Sequence, residues 1–533
     1  MRRPDRSPVS LRLSIGLLLL AGAPAFGGEA PGEGPNPWYQ SGREAALSAR
    51  NAPAPARHAK NAILFIGDGM GVATVTAARI LAGQLRGDHG EANALRFEGF
   101  PWLALAKTYN TNQMVPDSAG TITAILSGVK TDAGVLGVHE GVTRGDAASA
   151  TASRVPTIFE EAEARGLSTG LVTTSRITHA TPAGAYAHTP ERDWESDGDL
   201  PEDAQRAGFP DIALQWLDFS AAPAAEKTQR SGFEVTLGGG RREFLPRRET
   251  RGGRRSDGRD LIAEWRAADA SHVYVEDRSA LLALEPKPGA AVLGLFADSH
   301  LDFDSDRRRR PEAREPSLAE MTRFAIRQLR TNPKGWLLLV EGARIDHAHH
   351  ANNAYRALHD TLALDAAVEA ALELVDLGDT LVIVTADHGH PISLRGYATR
   401  GNPILGVVVG NDRHGNREEA PSEDLTGAPF TLLSYAGGPG YPGKSDSQPE
   451  GPKRFPHFAK SYDGITGGRH EFGDAPPDDP SYLQEATLPL PYGTHSGEDV
   501  PVYATGAGSD LVHGVIEQHV LYHIVTEALG WHP

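Results

Sequence analysis

The sequence predicts an α/β fold: a doubly wound, mostly parallel central sheet with helices on both faces and a loop-rich insertion. Three observations predict it. Short apolar runs recur along the 533-residue chain and end in polar, often glycine-bearing tips, as buried parallel strands do. Stretches that are apolar on one face lie between them, the pattern of amphipathic helices. Over residues 391–491 that regularity lapses into Gly, Pro, Ser and Asp, which marks an insertion rather than a continuation of the sheet.

The chain opens on a segment that is not part of the fold. Arg2, Arg3, Arg6 and Arg12 precede the apolar run LSIGLLLLAGAPAF, which is too short to span a bilayer and ends in small residues suited to a signal peptidase. Residues 1–28 are therefore read as a signal peptide, and the protein as periplasmic or secreted. The Arg2-Arg3 pair lacks the context of a twin-arginine signal, so ordinary secretion is the reading. The end of the chain, ALGWHP, offers no tail for a stable membrane anchor. With no cysteine, stability in an oxidising compartment has to come from packing and metals.

The first strand is NAILFIGDGMG (61–71), followed by GLSTGLVTTS (166–175), GWLLLVEGAR (335–344) and DTLVIVTADHGH (379–390). SLAEMTRFAIRQLR (317–330) and YRALHDTLALDAAVEAALELV (355–375) carry helical periodicity. Residues 60–390 and 492–530 are thus assigned to one core interrupted by the 391–491 insertion. A hydrophobic content of 40% suffices to fill it, and a formal charge of −17 excludes nucleic acid as the main partner. The arginine runs at 238–259 and 306–314 read as solvated loops.

Ligands of such sheets collect beyond the carboxyl ends of the strands. Those ends carry Asp68, Glu341, Asp387 and His388, with Thr181 shortly after another strand. Next to one of them lies GARIDHAHHANN (342–353), an aspartate and three histidines in five positions. Asp346 and His350, four apart, face the same way on a helical turn, although His349 at three apart fits nearly as well. An aspartate after a strand is often only a turn former, so it is the coincidence at several strand ends that indicates metal binding. Carboxylates, imidazoles and hydroxyls together suit zinc where nitrogen is plentiful and magnesium where oxygen alone is offered. His519 and His523, also four apart, lie in a mostly apolar segment and read as packing.

The motifs FIGDGMG, VPDSAGTITAILSG, VTTSRITHATPAGAYAHTPERDWESDGDLP, VEGARIDHAHH, VTADHGH and THSGEDVPVYATG occur in an order that resembles the alkaline phosphatases, from about residue 61 to 529. The resemblance implies hydrolysis of phosphate monoesters to inorganic phosphate by a homodimer holding two zinc ions and one magnesium per chain. It makes Ser118 the nucleophile and Arg192 the phosphate clamp. It places Asp346, His350 and His495 on the first zinc, Asp68, Asp387 and His388 on the second, and Asp68, Thr181 and Glu341 on magnesium. His179 and His347 resemble the family's two-histidine version of the magnesium surroundings, standing beside the ion without binding it directly. The insertion takes the position of an interfacial crown. At residues 296–306, Ala297 replaces a carboxylate of the calcium site found in animal members, so calcium is not expected; the remaining aspartates read as an exposed acidic loop.

The chemistry is coherent without the resemblance. A phosphate monoester is a stable dianion, so catalysis consists of neutralising charge and aligning an in-line attack. Ser118 starts an apparent helix, whose N–H groups and dipole favour an anion, and an arginine fork can hold two phosphoryl oxygens. A sulfatase would carry Cys or Ser followed by a Pro and Arg pattern, whereas Ser118 is followed by AGT; a phosphodiesterase of this kind more often has Thr as nucleophile. A noncatalytic periplasmic binder of zinc or phosphate would need neither Ser118 nor Arg192.

Overall fold

The computed structural model describes residues 54–220, 232–247, 252–310, 314–463, 472 and 476–531, with Gln40, Arg43 and Leu47. Met1–Pro53 is a unit of its own, and Ala54–Pro533 is one compact unit. The 1–28 signal segment lies outside the described residues.

Fifteen strands are present among the described residues. They are β1 Asn61–Ile66, β2 Trp102–Lys107, β3 Ser168–Arg176, β4 Val235–Gly239, β5 His272–Val275, β6 Ala291–Leu295, β7 Trp336–Glu341, β8 Thr380–Thr385, β9 Ile392–Leu394, β10 Leu433–Gly438, β11 Lys453–Arg454, β12 Tyr482–Leu483, β13 Ala486–Pro489, β14 Val500–Gly506 and β15 Gly514–Glu517. Ten of them form one sheet in the order β15-β2-β14-β8-β1-β7-β3-β4-β6-β5. Every neighbouring pair is parallel except the two made by β14, which runs antiparallel to both β8 and β2.

The centre of this sheet is buried on both faces. β1, β7 and β8 are buried at every position, which is why their sequences run through apolar residues without alternation. Toward the edge, β2 alternates, with Leu103 and Leu105 exposed. Two groups of helices pack on the sheet. Leu318–Leu329 packs on Ala354–Leu372, which in turn contacts Val72–Leu85; Ser118–Ser127 packs on Val520–Ala528 and Ala180–Ala183. Both groups touch β3 and β7. Local chemistry fixes the starts: Ser317 and Glu320 form a capping box, and Asn353 accepts from Arg356 N at 2.8 Å.

Within residues 391–491, β9, β10 and β13 make a small sheet in the order β13-β10-β9, and β11 pairs with β12. The rest of the described segment is turn and loop, as its Gly and Pro content dictates. The arginine run at 306–314 is exposed at Arg308, Arg309, Arg310 and Arg314, as a solvated loop should be, whereas the run at 238–259 departs from that expectation at one residue. Arg255 is fully buried against Asp211 at 3.0 Å and Asp257 at 2.6 Å. The aspartates of 298–306 are likewise not a free acidic loop: Asp298 pairs with Arg241 at 2.6 Å, Asp306 with Arg356 at 2.9 Å, and Asp304 is buried beside Arg307. Neighbouring arginines supply the positive charge that these carboxylates require.

Candidate active site

Four adjacent strands, β8, β1, β7 and β3, deliver the candidate ligands at their carboxyl ends. Asp387 and His388 follow β8, Asp68 follows β1, Glu341 ends β7, and Thr181 sits in the short helix Ala180–Ala183 after β3. The turn after β1 lies tight against the helix Arg344–His350: at Gly69, φ is 71° and a Cβ would fall 2.7 Å from the His390 ring and 3.2 Å from Asp346 Cα. Only glycine fits both constraints.

The first group gathers Asp346, His350, His390 and His495, whose ligand atoms lie within 4.8 Å of one another. The tautomers follow from the partners. His350 Nδ1 donates to Gly493 O at 2.5 Å, and His495 Nδ1 donates to Pro116 O at 2.7 Å. Carbonyls only accept, so in the neutral rings both Nε2 atoms carry lone pairs, and these stand 3.1 Å apart, 3.3 and 3.5 Å from Asp346 Oδ1. Two bare nitrogens facing one another beside a carboxylate fit a cation between them. His390 differs: its Nε2 donates to Asp346 Oδ1 at 2.6 Å, so it orients the aspartate, and burial pushes its pKa down to about 4. Of the two residues that spacing alone left open, His350 enters the group. His349 turns away, to Tyr435 Oη at 2.7 Å and Thr74 Oγ1 at 3.0 Å.

A second group consists of Asp68, His388 and Asp346, with Asp387 alongside, its Oδ2 3.2 Å from His388 Nε2. Asp387 is oriented by Gly69 N at 3.1 Å and His388 N at 2.9 Å. Ser118 Oγ lies 3.0 Å from His388 Nε2, and the side chain is almost wholly buried at the first position of the helix Ser118–Ser127. Its cap, Asp117, accepts from Gly120 N at 3.2 Å and Gly134 N at 3.0 Å, and its other oxygen pairs with Arg192 Nη1 at 3.0 Å. Burial alone would raise the Asp117 pKa; Arg192 and the two N–H groups outweigh it and hold the carboxyl below its ordinary value.

The third group is Asp68, His179 and Glu341. Both Asp68 oxygens, Glu341 Oε1, Thr181 Oγ1 and His179 Nδ1 are buried without a hydrogen-bond partner. Burial, reinforced by Asp387, Asp346 and Glu341, raises Asp68 well above the ordinary carboxylate range, and burial pushes Glu341 up to about 7 and Asp387 to about 6. So many converging carboxylates with unused lone pairs lack only positive charge, which bound cations supply. His179 Nε2 accepts from Arg192 Nη2 at 3.2 Å, and His347 Nδ1 accepts from Arg344 Nη1 at 3.0 Å. Burial, the largest of several causes, holds both imidazoles neutral.

Every sequence-predicted site residue thus falls in one neighbourhood. His519 and His523 do not join it; their ring centroids lie 6.4 Å apart on another helix. Two participants escaped the sequence reading. His390 was visible as the last residue of TADHGH, but its bond to Asp346 is not. His300, a lone histidine in an acidic stretch, carried no signal; it packs 4.2 Å from His347 and its Nε2 accepts from Arg176 Nη1 at 2.5 Å. Arg176 in turn holds Glu195 at 2.6 Å, three residues beyond Arg192.

Residues 59–531 match the family model for alkaline phosphatase. The chain is 42% identical over 489 residues to the tissue-nonspecific isozyme of alkaline phosphatase from Gallus gallus, covering 88% of this chain and 84% of that protein. It is 40% identical over 504 residues to the alkaline phosphatase of Gadus morhua, covering 92% and 96%. Among solved structures, the alkaline phosphatase of Thermus thermophilus superposes with a TM-score of 0.61 at 25% identity, covering 91% of this chain and 94% of that one. A magnesium-bound His-to-Asp mutant of the alkaline phosphatase from the Antarctic bacterium TAB5 has a TM-score of 0.57 at 21% identity, covering 90% and 100%, a likeness of fold.

Proposed function

The chain belongs to the alkaline phosphatase family and hydrolyses phosphate monoesters, and from that premise we propose that it does so through a phosphoserine on Ser118. Arg192 holds two phosphoryl oxygens, and the backbone N–H groups at the start of the helix Ser118–Ser127 face the same anion. Ser118 Oγ attacks phosphorus in line, the ester oxygen departs as the alcohol on gaining a proton, and water then cleaves the Ser118 phosphoester to release inorganic phosphate. Two inversions give net retention at phosphorus.

Asp346, His350 and His495 would hold one zinc, with His390 setting the aspartate. Asp68, Asp387 and His388 would hold a second. Asp68, Thr181 and Glu341 would hold magnesium, with His179 and His347 close by; the oxygen-rich donor set supports that choice. When bound, these ions supply positive charge to the attacking and leaving oxygens and lower the pKa of a bound hydroxyl. The observation that carries the reading is the pair of bare Nε2 atoms of His350 and His495, 3.1 Å apart beside Asp346.

The enzyme acts outside the cytoplasm as a homodimer in this reading. The basic and then apolar start of the sequence supports export, and exposed Tyr397, Leu425 and Phe458 in the insertion support assembly through that segment. Assaying purified protein in parallel on a monoester, a diester and a sulfate ester tests the proposal. Turnover should favour the monoester by orders of magnitude; a preference for the diester or the sulfate would overturn it.

A further inference from the structure

The helix Arg344–His350 carries two ligands of the first group, yet it is only seven residues long and relies on its surroundings for its orientation. Much of what holds its carboxyl end comes from the insertion. Just past the helix, Asn352 adopts φ 55°, the one left-handed residue other than glycine among those described. Such a conformation persists where neighbours enforce it. Here Asn352 Nδ2 donates to Gly437 O at 3.3 Å, Gly440 N donates to Asn352 Oδ1 at 3.0 Å, and Gln484 N donates to Asn352 O at 2.8 Å. Asn353 Nδ2 donates to Pro480 O and Tyr482 O, and Ala354 N to Gln484 Oε1 at 2.6 Å. The approach is so close that a Cβ at Gly438 would stand 2.1 Å from Asn352 Oδ1.

One of these insertion strands also reaches a side chain behind the metal ligands. Tyr435, buried in β10, places its hydroxyl 2.7 Å from His349 Nδ1, while His349 Nε2 meets Thr74 Oγ1 at 3.0 Å. Held at both nitrogens, the His349 ring cannot rotate without breaking a buried hydrogen bond. It lies against the His390 ring, centroids 5.0 Å apart and planes within 30°. His390 in turn donates to Asp346 at 2.6 Å.

We propose that Tyr435 is a positioning residue for the ion held by Asp346, His350 and His495: its hydroxyl fixes the His349 ring, that ring holds the plane of His390, and His390 sets Asp346. The insertion thereby governs how long the first ion stays bound. This inference rests on the reading above that the group holds an ion.

The test uses zinc-loaded, full-length protein. Metal content is measured by mass spectrometry, zinc release is followed with a chromogenic chelator, and melting temperature is recorded beside both. Tyr435→Phe keeps the ring and removes the hydroxyl; it should release one zinc per chain about tenfold faster than the parent, at the low end of what loss of a supporting contact does. Its activity should recover on adding zinc. Thr74→Val, which frees the other nitrogen of His349, should act in the same direction. Tyr462→Phe alters a tyrosine of the same insertion whose hydroxyl, among the described residues, bonds to Pro439 O at 3.4 Å, and should release zinc as the parent does. If Tyr435→Phe and Thr74→Val melt lower but release zinc at the parental rate, the bond is purely structural and the inference is overturned. If the parent itself holds no zinc after loading, the metal reading fails first, and that result is distinct.

Discussion

His390 Nε2 stands 2.6 Å from Asp346 Oδ1, while its other ring nitrogen, buried, meets no partner. A residue so placed orients a ligand. His390→Ala should weaken zinc at the first group by roughly 10- to 100-fold while leaving the fold intact. Titrating activity against free zinc measures this: the midpoint should move to higher concentration with the plateau largely restored. An unmoved midpoint would mean that Asp346 needs no such support.

Arg192 is joined to the cap of the nucleophile's helix through Asp117 at 3.0 Å and to His179 at 3.2 Å. Arg192→Lys retains the charge and loses the fork. Losing one charge-assisted hydrogen bond costs about 1.5–3 kcal/mol, so kcat/KM should fall roughly 10- to 100-fold. Competitive inhibition by inorganic phosphate should weaken in the same range. Parental phosphate inhibition in this variant would remove Arg192 from the clamp.

The third group owes its demand for a cation to Asp68 and Glu341, whereas His179 and His347 contribute no negative charge. Magnesium should therefore be held loosely. Zinc-replete enzyme dialysed free of magnesium should lose part of its rate and regain it on adding magnesium, and His179→Asp should retain magnesium through longer dialysis. Full activity without magnesium, or unchanged retention in the variant, would discard the third-site role.

Much of this was legible in the sequence because it is written locally. A strand buried on both faces has to be apolar throughout, so β1, β7 and β8 announced themselves, and their polar tips followed by chain position alone. β3 was legible too, from GLSTGLVTTS, whereas the remaining six strands of the sheet were not individually visible. β14 was noticed only as the motif VPVYATG, and nothing local sets its antiparallel direction between β8 and β2. Relationships at long range were hidden for the same reason: Tyr435 and His349 are 86 residues apart, and the choice of His350 over His349 depended on where the insertion places that hydroxyl. His300 carried no signal because its partners, Arg176 and His347, come from distant strand ends.

The insertion offers exposed Tyr397, Leu425, Phe458 and Leu488, side chains that an interface between subunits would cover. Sedimentation at assay concentration should show a dimer, and excising residues 405–430 should weaken it. A fully active monomer, or unaltered assembly after the excision, would contradict the expected link between assembly and site.

The central claim is the covalent step on Ser118. Enzyme mixed with a monoester, quenched in acid within the steady state and digested, should yield one phosphorylated peptide, carrying its phosphate on Ser118 of VPDSAGTITAILSG; Ser118→Ala should yield none and lose turnover by orders of magnitude. Phosphate on a different residue, or near-parental turnover without Ser118, would contradict the account.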